Sequence, residues 1–335
     1  MTWPQWRYAD GLWPNAAALA YCVAGYGLGL VGILQPHWLA NLLGCLLLAH
    51  AMVIAAYMIH ECGHNTVFKQ PRHNAALGRL LNWLTGACYG DFEALRHKHF
   101  RHHVDKADII AFDYRRRLQR RPILRCIILG LEWLYIPAVD ILMHTLQILL
   151  PFLRPGGARE RQRLVLILTT RVILFAMLAL YSLKAALLYL LAYALMLHVL
   201  RFMDAFQHTF ELHETLGLPT AAQPERRDRD YEHRHTYSNL ISRRHPWLNL
   251  LVLNFCYHNA HHFKQAVPWY RLPTLHSDLY GEDDSQIIPF SNQLWSYHHH
   301  RVQRVLNNAD AGPGSGSDKG KGFVGADGVN FLTAF

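Results

Sequence analysis

Three short histidine clusters are the residues of this sequence best placed to do chemistry. The clusters are His60 and His64; His99, His102 and His103; and His258, His261 and His262. On a helix, residues three or four apart share one face, so each cluster can direct two or three imidazoles at one point. Imidazole is a ligand for iron, zinc, copper and nickel. Because the pattern occurs three times, each time beside a hydrophobic segment, we interpret the clusters as metal ligands rather than surface histidines.

A further histidine, His208, lies just past the last hydrophobic run and is a natural ninth ligand. Octahedral coordination uses six positions, so nine imidazoles are too many for one metal but sufficient for two. Zinc has no redox chemistry and usually takes four ligands. A nitrogen-rich dinuclear site is therefore predicted to hold a redox metal such as iron, which with dioxygen can oxidise unactivated C–H bonds.

The hydrophobic runs that must position these histidines have the length of membrane spans. The runs cover residues 16–34, 38–59, 164–183 and 185–203. Each approaches the ~20 residues that cross a bilayer. The net charge of +9 does not indicate nucleic-acid binding, because the arginines flank the hydrophobic runs as the positive-inside rule expects. We predict an all-α integral membrane protein with four transmembrane helices in two hairpins.

The distribution of basic residues predicts the orientation of the hairpins. The turn at 35–37 has no lysine or arginine, whereas Lys69, Arg72 and Arg79 follow the second run. Since basic loops stay in the cytoplasm, the three histidine clusters and both termini are predicted to be cytoplasmic. The second hairpin repeats this polarity and brings His208 to the same side. The metal site would then lie in a cytoplasmic helical cap.

The remaining segments are predicted to be shorter elements around the spans. Residues 77–95 are expected to form a helical stretch at the membrane interface, 123–153 an interfacial or bent helix, and 247–257 a short apolar helix that presents the third cluster. We expect one membrane-embedded domain over 1–308 and a flexible, glycine-rich tail over 309–335. The six cysteines are scattered, which is typical of a reducing compartment without disulfides.

Other histidines and several carboxylates have different expected roles. His97 is out of phase with its neighbours, His235 lies in a polar loop, His276 is expected to be structural, and His298 to His300 are expected on the surface. Arg171, inside the third run, is expected to snorkel or pair. The carboxylates near the clusters are candidates to hold the far ring nitrogens of the ligands; they are Glu61, Asp91, Glu93, Asp105 and Glu211.

The three clusters resemble the histidine boxes of the membrane-bound fatty acid desaturase superfamily, over residues 38–280. His60 and His64 are similar to the first box, His99 to His103 to the second, His258 to His262 to the third, and Gln207-His208 to the further histidine of this superfamily. The resemblance implies two irons, dioxygen, and a fatty acyl substrate entering from the bilayer. No heme-binding segment is recognisable, so a separate ferredoxin, rubredoxin or cytochrome is expected to supply electrons. Residues 231–239 and 268–273 resemble bacterial members, which implies a bacterial cytoplasmic membrane.

The boxes leave the product open. After hydrogen abstraction, a second abstraction gives an alkene, oxygen rebound gives an alcohol, and loss of the carboxyl group gives a terminal alkene. The choice depends on substrate position within about an ångström. Desaturation is the leading hypothesis, with a fatty acid hydroxylase or an oxidative decarboxylase as alternatives. A non-catalytic metal-binding or transporting membrane protein is a third hypothesis, disfavoured because the spans lack the polar lining that transport requires.

Overall fold

The computed structural model describes residues 4–155, 157–210, 213–216, 227–306 and 318–334. The helices of the N-terminal half are α1 (Leu12–Leu34), α2 (Trp38–Gly63), α3 (Pro71–Thr85), α4 (Phe92–Asp105), α5 (Tyr114–Gln119), α6 (Pro122–Trp133) and α7 (Ala138–Leu153). Those that follow are α8 (Ala158–Tyr181), α9 (Leu183–Ala205), α10 (Arg229–Arg234), α11 (His258–Phe263), α12 (Leu272–Tyr280), α13 (Phe290–His299) and α14 (Gln303–Leu306). Short 3-10 helices cover Ala9–Gly11, Ala87–Tyr89, Pro246–Val252 and Trp269–Arg271. Two short strands, β1 (Asp108–Ile110) and β2 (His213–Thr215), pair in parallel.

Helices α1, α2, α8 and α9 are long and apolar enough to cross a membrane. Their outward faces carry large exposed apolar side chains, including Leu28, Leu174 and Leu180. A helix satisfies its own backbone hydrogen bonds, so it can present such side chains to lipid without exposing polar groups. The prediction of an all-α integral membrane protein with four spanning helices is confirmed.

One compact unit comprises residues from 4–94 and 144–199. In it, α1 and α2 cross so closely that a Cβ added to Gly32 would lie 2.7 Å from the Cα of Gly44. Lys184, after the turn between α8 and α9, donates hydrogen bonds to the carbonyl of Gln35 (2.6 Å) and to Oδ1 of Asn41 (2.9 Å). The turns of the two hairpins therefore lie side by side. Which side of the membrane they face stays a prediction.

Arg171 on α8 is paired within this unit. Its guanidinium donates to the carbonyl of Trp83, lies 3.6 Å from the Sγ of Cys88, and sits 5.5 Å from the Trp83 ring centroid. These contacts compensate a charge in an apolar helix, which is the pairing expected from the sequence.

A second compact unit comprises residues from 95–143 and 200–334. A cluster of buried apolar residues forms part of its core: Ala205, Phe206, Tyr237, Ile288 and Phe323. The β1–β2 ladder aligns Asp108 with His213 and Ile110 with Thr215. This ladder lies outside the four spanning helices, as do most of the short helices. The sequence analysis predicts that these parts of the chain form the helical cap.

Two shorter elements differ from the expectation. The single helix expected over 123–153 is two helices, because α6 ends at Trp133 and α7 begins at Ala138, directly after Pro137. Proline has no N–H and its ring clashes with a preceding helical turn, so a helix rarely continues through it. The helix expected over 247–257 is instead a 3-10 helix (Pro246–Val252), followed by Leu253 and Asn254 with φ of 49° and 57°.

The C-terminal segment 318–334 is packed into the second unit, whereas the composition predicts a flexible tail over 309–335. Phe323 and Leu332 are fully buried, and Val324 and Thr333 nearly so. Composition predicts flexibility because glycine costs backbone entropy to order, but here apolar residues between the glycines bury enough surface to order the segment. Residues 309–317 lie outside the described residues.

Candidate metal centre

The sequence places each histidine cluster at a helix position that fixes its direction. His99, His102 and His103 lie on the last two turns of α4, and α11 begins at His258. Spacings of three and four residues put the rings of each cluster on one helix face. His208 follows α9 and is held by an isolated antiparallel bridge between its backbone and that of Thr236. In the second unit, these histidines together with His261 and His262 on α11 form two groups of converging nitrogens.

The first group is formed by His102, His208, His258 and His262, whose ligand atoms all lie within 4.8 Å of one another. The Nε2 atom of His208 is 3.0 Å from Nε2 of His262 and 3.0 Å from Nε2 of His258. His208, His258 and His262 are buried, with 6% or less of their surface exposed. The second cluster, the third cluster and His208 thus meet at one point.

The second group is formed by His99, His103 and His261. The Nε2 atom of His103 lies 2.9 Å from Nε2 of His99 and 3.2 Å from Nε2 of His261. His103 and His261 are buried. The ring centroids of His103 and His262 are 4.4 Å apart, so the two groups are neighbours, joined by adjacent residues of the same two helices.

The facing nitrogens fit a metal better than a hydrogen-bond network. Burial, followed by the neighbouring histidines, lowers the pKa of His258 and of His208 well below the usual range of histidine. Both imidazoles are therefore neutral, and each carries a single N–H. Since Nε2 of His208 faces two other Nε2 atoms, one proton cannot satisfy all three. A cation accepting their lone pairs can, and neutral imidazole is the form that ligates metals.

Two hydrogen bonds orient the first group. Nδ1 of His102 donates to the carbonyl oxygen of Ala107 at 2.8 Å, and Nδ1 of His262 donates to Oε1 of Glu232 at 2.9 Å. A proton held at Nδ1 leaves Nε2 unprotonated and fixes the plane of the ring. Both rings therefore present Nε2 lone pairs to the group. Burial raises the pKa of Glu232 while Lys106, 3.7 Å away, opposes this.

His60 and His64 belong to the first unit, at the C-terminal end of α2. Their ring centroids are 4.7 Å apart, and His60 is buried. Oε1 of Glu61 lies 3.6 Å from Nδ1 of His60, while Oε2 of Glu61 accepts a hydrogen bond of 2.6 Å from the Thr66 hydroxyl. His60 and His64 therefore have neighbouring rings and a carboxylate beside them, as metal-ligating histidines often do. That they belong to the ligand set stays a prediction.

The histidines expected to lie outside the site do so within the described residues. His97 is exposed, and Nδ1 of His235 donates to the carbonyl of Tyr231 at 2.8 Å. Nδ1 of His276 lies 3.2 Å from Oδ1 of Asn259. His298 contacts the hydroxyl of Tyr135. None of these side chains is part of the two groups.

The carboxylates expected around the ligands are only partly in place. Glu61 lies beside His60, but Asp91 and Glu93 are exposed and Asp105 pairs with Arg101. Glu211 is outside the described residues. Sequence reasoning missed two carboxylates that lie beside the ligands. Glu232 accepts the hydrogen bond from His262, and Oδ1 of Asp108 is 3.8 Å from Nδ1 of His208. Glu232 is separated from His262 by 30 residues, and no local pattern indicates which carboxylate meets which imidazole.

A small cavity of about 40 Å³ adjoins the first group within the second unit. His99, His102, His208 and His258 line one part of it. Ile109 and Phe255 contribute apolar wall, and Lys98, Asp108 and Asp204 add ionisable side chains. The cavity therefore combines apolar wall with imidazoles that could hold a metal.

A comparison with protein families identifies the chain. The model of the family described as "Fatty acid desaturase" matches residues 36–307, a range that includes all nine predicted ligands. No curated protein matches the chain. Because the family match covers more than half of the sequence and includes three of the four spanning helices (α2, α8 and α9) and the histidine groups, the resemblance noted from the histidine boxes is confirmed: the chain belongs to the fatty acid desaturase family.

Proposed function

We propose that this membrane protein catalyses the oxygen-dependent desaturation of a fatty acyl chain at a di-iron centre. The observation that carries the proposal is the convergence of Nε2 atoms on His208, which faces His258 and His262 at 3.0 Å. Such a set suits a redox metal, and the family is one of lipid oxidation. The proposed ligands are His60, His64, His99, His102, His103, His208, His258, His261 and His262.

The proposed metal supplies the oxidising power, and the protein supplies its environment. Two bound irons, given dioxygen and two electrons, would remove hydrogen from an unactivated C–H bond. Overall, formation of the alkene consumes dioxygen, two electrons and two protons and releases two waters. His60 and His64 complete the ligand set in this proposal, which their spacing and their place in the matched region support.

The residues of this chain have two roles in the proposed reaction. Glu232 and the carbonyl of Ala107 hold protons at Nδ1 of His262 and His102, which keeps both Nε2 atoms available. Ile109 and Phe255 provide apolar surface for methylene groups and exclude water from the cavity. Exclusion of water protects a strong oxidant from unproductive proton and electron transfer.

We further propose that the histidines face the cytoplasm of a bacterial cell and that an acidic electron carrier docks there. The carrier would be a ferredoxin, a rubredoxin or a cytochrome. Four exposed arginines in α5 and directly after it offer a basic surface for the carrier: Arg116, Arg117, Arg120 and Arg121. Salt screens such attraction over about 10 Å at 0.1 M. The apparent KM for the carrier should therefore rise with ionic strength, and it should rise further in Arg116→Glu.

Expression in a host without the activity tests the proposal. Lipids, free acids and headspace volatiles are analysed by mass spectrometry, and the purified protein is analysed for metals. About two irons per chain and a new double bond support the proposal. A new hydroxyl group or a volatile terminal alkene would select a hydroxylase or a decarboxylase instead. A protein that binds only zinc and changes no lipid would overturn it in favour of a non-catalytic metal protein.

A further inference from the structure

Side chains from other parts of the second unit fix the C-terminal segment 318–334 by donating hydrogen bonds to its backbone carbonyl oxygens. Nε of Arg304 donates to the carbonyl of Val324 at 2.6 Å, and the Tyr114 hydroxyl donates to the carbonyl of Asp327 at 3.1 Å. The Ser296 hydroxyl donates to the carbonyl of Phe323. Buried donors that meet backbone acceptors fix the path of a segment that has no regular helix or strand. The segment is thus an integral part of the second unit.

The segment is also connected to the proposed metal ligands. Nζ of Lys98, which immediately precedes His99, donates to the carbonyls of Asn330 (2.7 Å) and Thr333 (2.9 Å). Lys98 is only 2% exposed. Since a buried ammonium needs acceptors to offset its desolvation, these two carbonyls hold residues 330–333 against α4.

Two glycines allow the segment to follow this path. Gly325 and Gly328 have φ of 80° and 76°, which favours glycine. A Cβ at Gly325 would lie 2.2 Å from the carbonyl oxygen of Ala205, and a Cβ at Gly328 would lie 2.7 Å from the Tyr114 ring. At these positions glycine serves close packing, although the composition of the tail is that of a linker.

The segment supplies one wall of the cavity beside the histidines. Val329 and Phe331 line it together with His99, His102, His208 and His258. Phe331 is 9% exposed, and it is a large apolar side chain next to a cavity of about 40 Å³. Because the cavity is small, the size of a single wall residue determines a large share of the space available to a hydrocarbon chain.

We propose that Phe331 is a specificity-determining residue, whose ring limits how far an acyl chain extends past the metal centre. This inference rests on the proposed acyl oxidation. A smaller residue at 331 lengthens the cavity, so longer chains, or positions farther along a chain, reach the oxidant. A hydrophobic pocket discriminates one methylene by about 10-fold or more. The reactivity ratio between chains of different length should change by a factor of this size.

The experiment compares Phe331→Leu with Phe323→Leu, a matched control. Phe323 lies in the same segment and is buried, but it packs on Phe206 and Tyr237 in the core and is not among the residues that line the cavity. Iron-loaded proteins are given mixed saturated acyl chains of increasing length, and products are quantified. Phe331→Leu should shift the ratio of long to short products upward by about 10-fold, and Phe323→Leu should leave it unchanged. Val329→Phe, which fills the cavity, should shift the ratio toward shorter chains.

A binding measurement separates this inference from the proposed function. An anthroyl-labelled stearate is bound to the metal-free proteins and displaced by saturated fatty acids of increasing length. The chain length that displaces best should increase in Phe331→Leu and decrease in Val329→Phe. An unchanged length preference in both variants overturns the role of Phe331, provided that each variant still takes up as much iron as the wild type when iron is added. If the wild type oxidises no acyl chain but the displacement profiles of the two variants differ from that of the wild type as expected, only the proposed function fails.

Discussion

Oε1 of Glu232 lies 2.9 Å from Nδ1 of His262, on the side of the ring away from the Nε2 that faces His208. A carboxylate in this position fixes the tautomer and plane of a ligand and increases its basicity. The contact joins α10 to α11 and so links a polar helix to the third histidine cluster.

The first prediction concerns this contact. Glu232→Gln should lower the affinity of the protein for iron about 10- to 100-fold, because the oriented charge at Nδ1 is lost. Titration of the metal-free protein with ferrous iron measures the change. Asp230→Asn is the matched control, since Asp230 lies exposed on the same helix. Equal iron affinity in Glu232→Gln and the wild type would show that Glu232 does not position His262.

The second prediction tests the ligands themselves. His261→Ala removes a buried imidazole from the group that contains His99 and His103. This variant should lose activity and bind less iron. His298→Ala should retain both, because His298 contacts Tyr135 on the surface of the cap segments. Full turnover by His261→Ala, or complete loss in His298→Ala, would contradict the assignment.

The third prediction concerns a buried charge cluster around Arg201. Its guanidinium lies 2.6 Å from Glu132, 2.6 Å from Asp327 and 3.8 Å from Asp140. Arg201→Met leaves three buried carboxylates without their cation and should reduce the free energy of unfolding by about 3–5 kcal/mol at neutral pH. Arg243→Met should cost less than about 1 kcal/mol, because the ion pairs of Arg243 are solvent-exposed.

The same variant has an expected pH dependence. Burial raises the pKa of Asp140 to about 7 and also raises the pKa of Glu132. The folded state thus favours the protonated forms of Asp140 and Glu132. The free energy of unfolding therefore decreases as the pH rises toward the pKa of about 7 and increases as the pH falls. Without Arg201 this effect is larger, and lowering the pH to about 5.5 should restore part of the lost stability. Thermal unfolding in detergent at both pH values measures it; no recovery at low pH would contradict the electrostatic account.

The fourth prediction concerns His276. Burial, assisted by Arg243, lowers the pKa of His276 to about 4, below its ordinary value of 6.5. As the pH falls, the unfolded chain therefore binds a proton at His276 at a higher pH than the folded chain does. The free energy of unfolding is highest above about pH 6.5 and decreases as the pH falls toward 4. His276→Gln should show a weaker decrease in stability between about pH 7.5 and pH 5 than the wild type. The exposed His245→Gln is the control, and parallel pH profiles of wild type and His276→Gln would refute the prediction.

Local patterns of the sequence predicted most of the fold. The four spanning helices follow from runs of apolar residues, since a bilayer imposes a length and forbids unpaired backbone groups. The histidine groups follow from i, i+3 and i+4 spacing on α4 and α11. The sequence predicts an interfacial or bent helix where the structure has two separate helices, α6 and α7. A proline indicates an interruption, but it does not give the angle or the length of that interruption.

The C-terminal segment shows where such reasoning fails. Glycine-rich composition predicts flexibility from backbone entropy, which is a local property. The burial of Phe323 and Phe331 depends on distant partners such as Phe206, Arg304 and Lys98. No periodicity within the segment indicates those partners.

The sequence by itself determined the class of protein: a membrane protein of four spans, with histidines of suitable type and spacing for two metals. Spacing along a helix and hydrophobic length are local quantities, and they can be read directly from the chain. Only the tertiary structure decided that His208 meets His258 and His262, that Glu232 holds the last of these, and that Phe331 lines the cavity beside them. These contacts join residues 30 or more positions apart, and packing alone selects them from many sterically possible pairings.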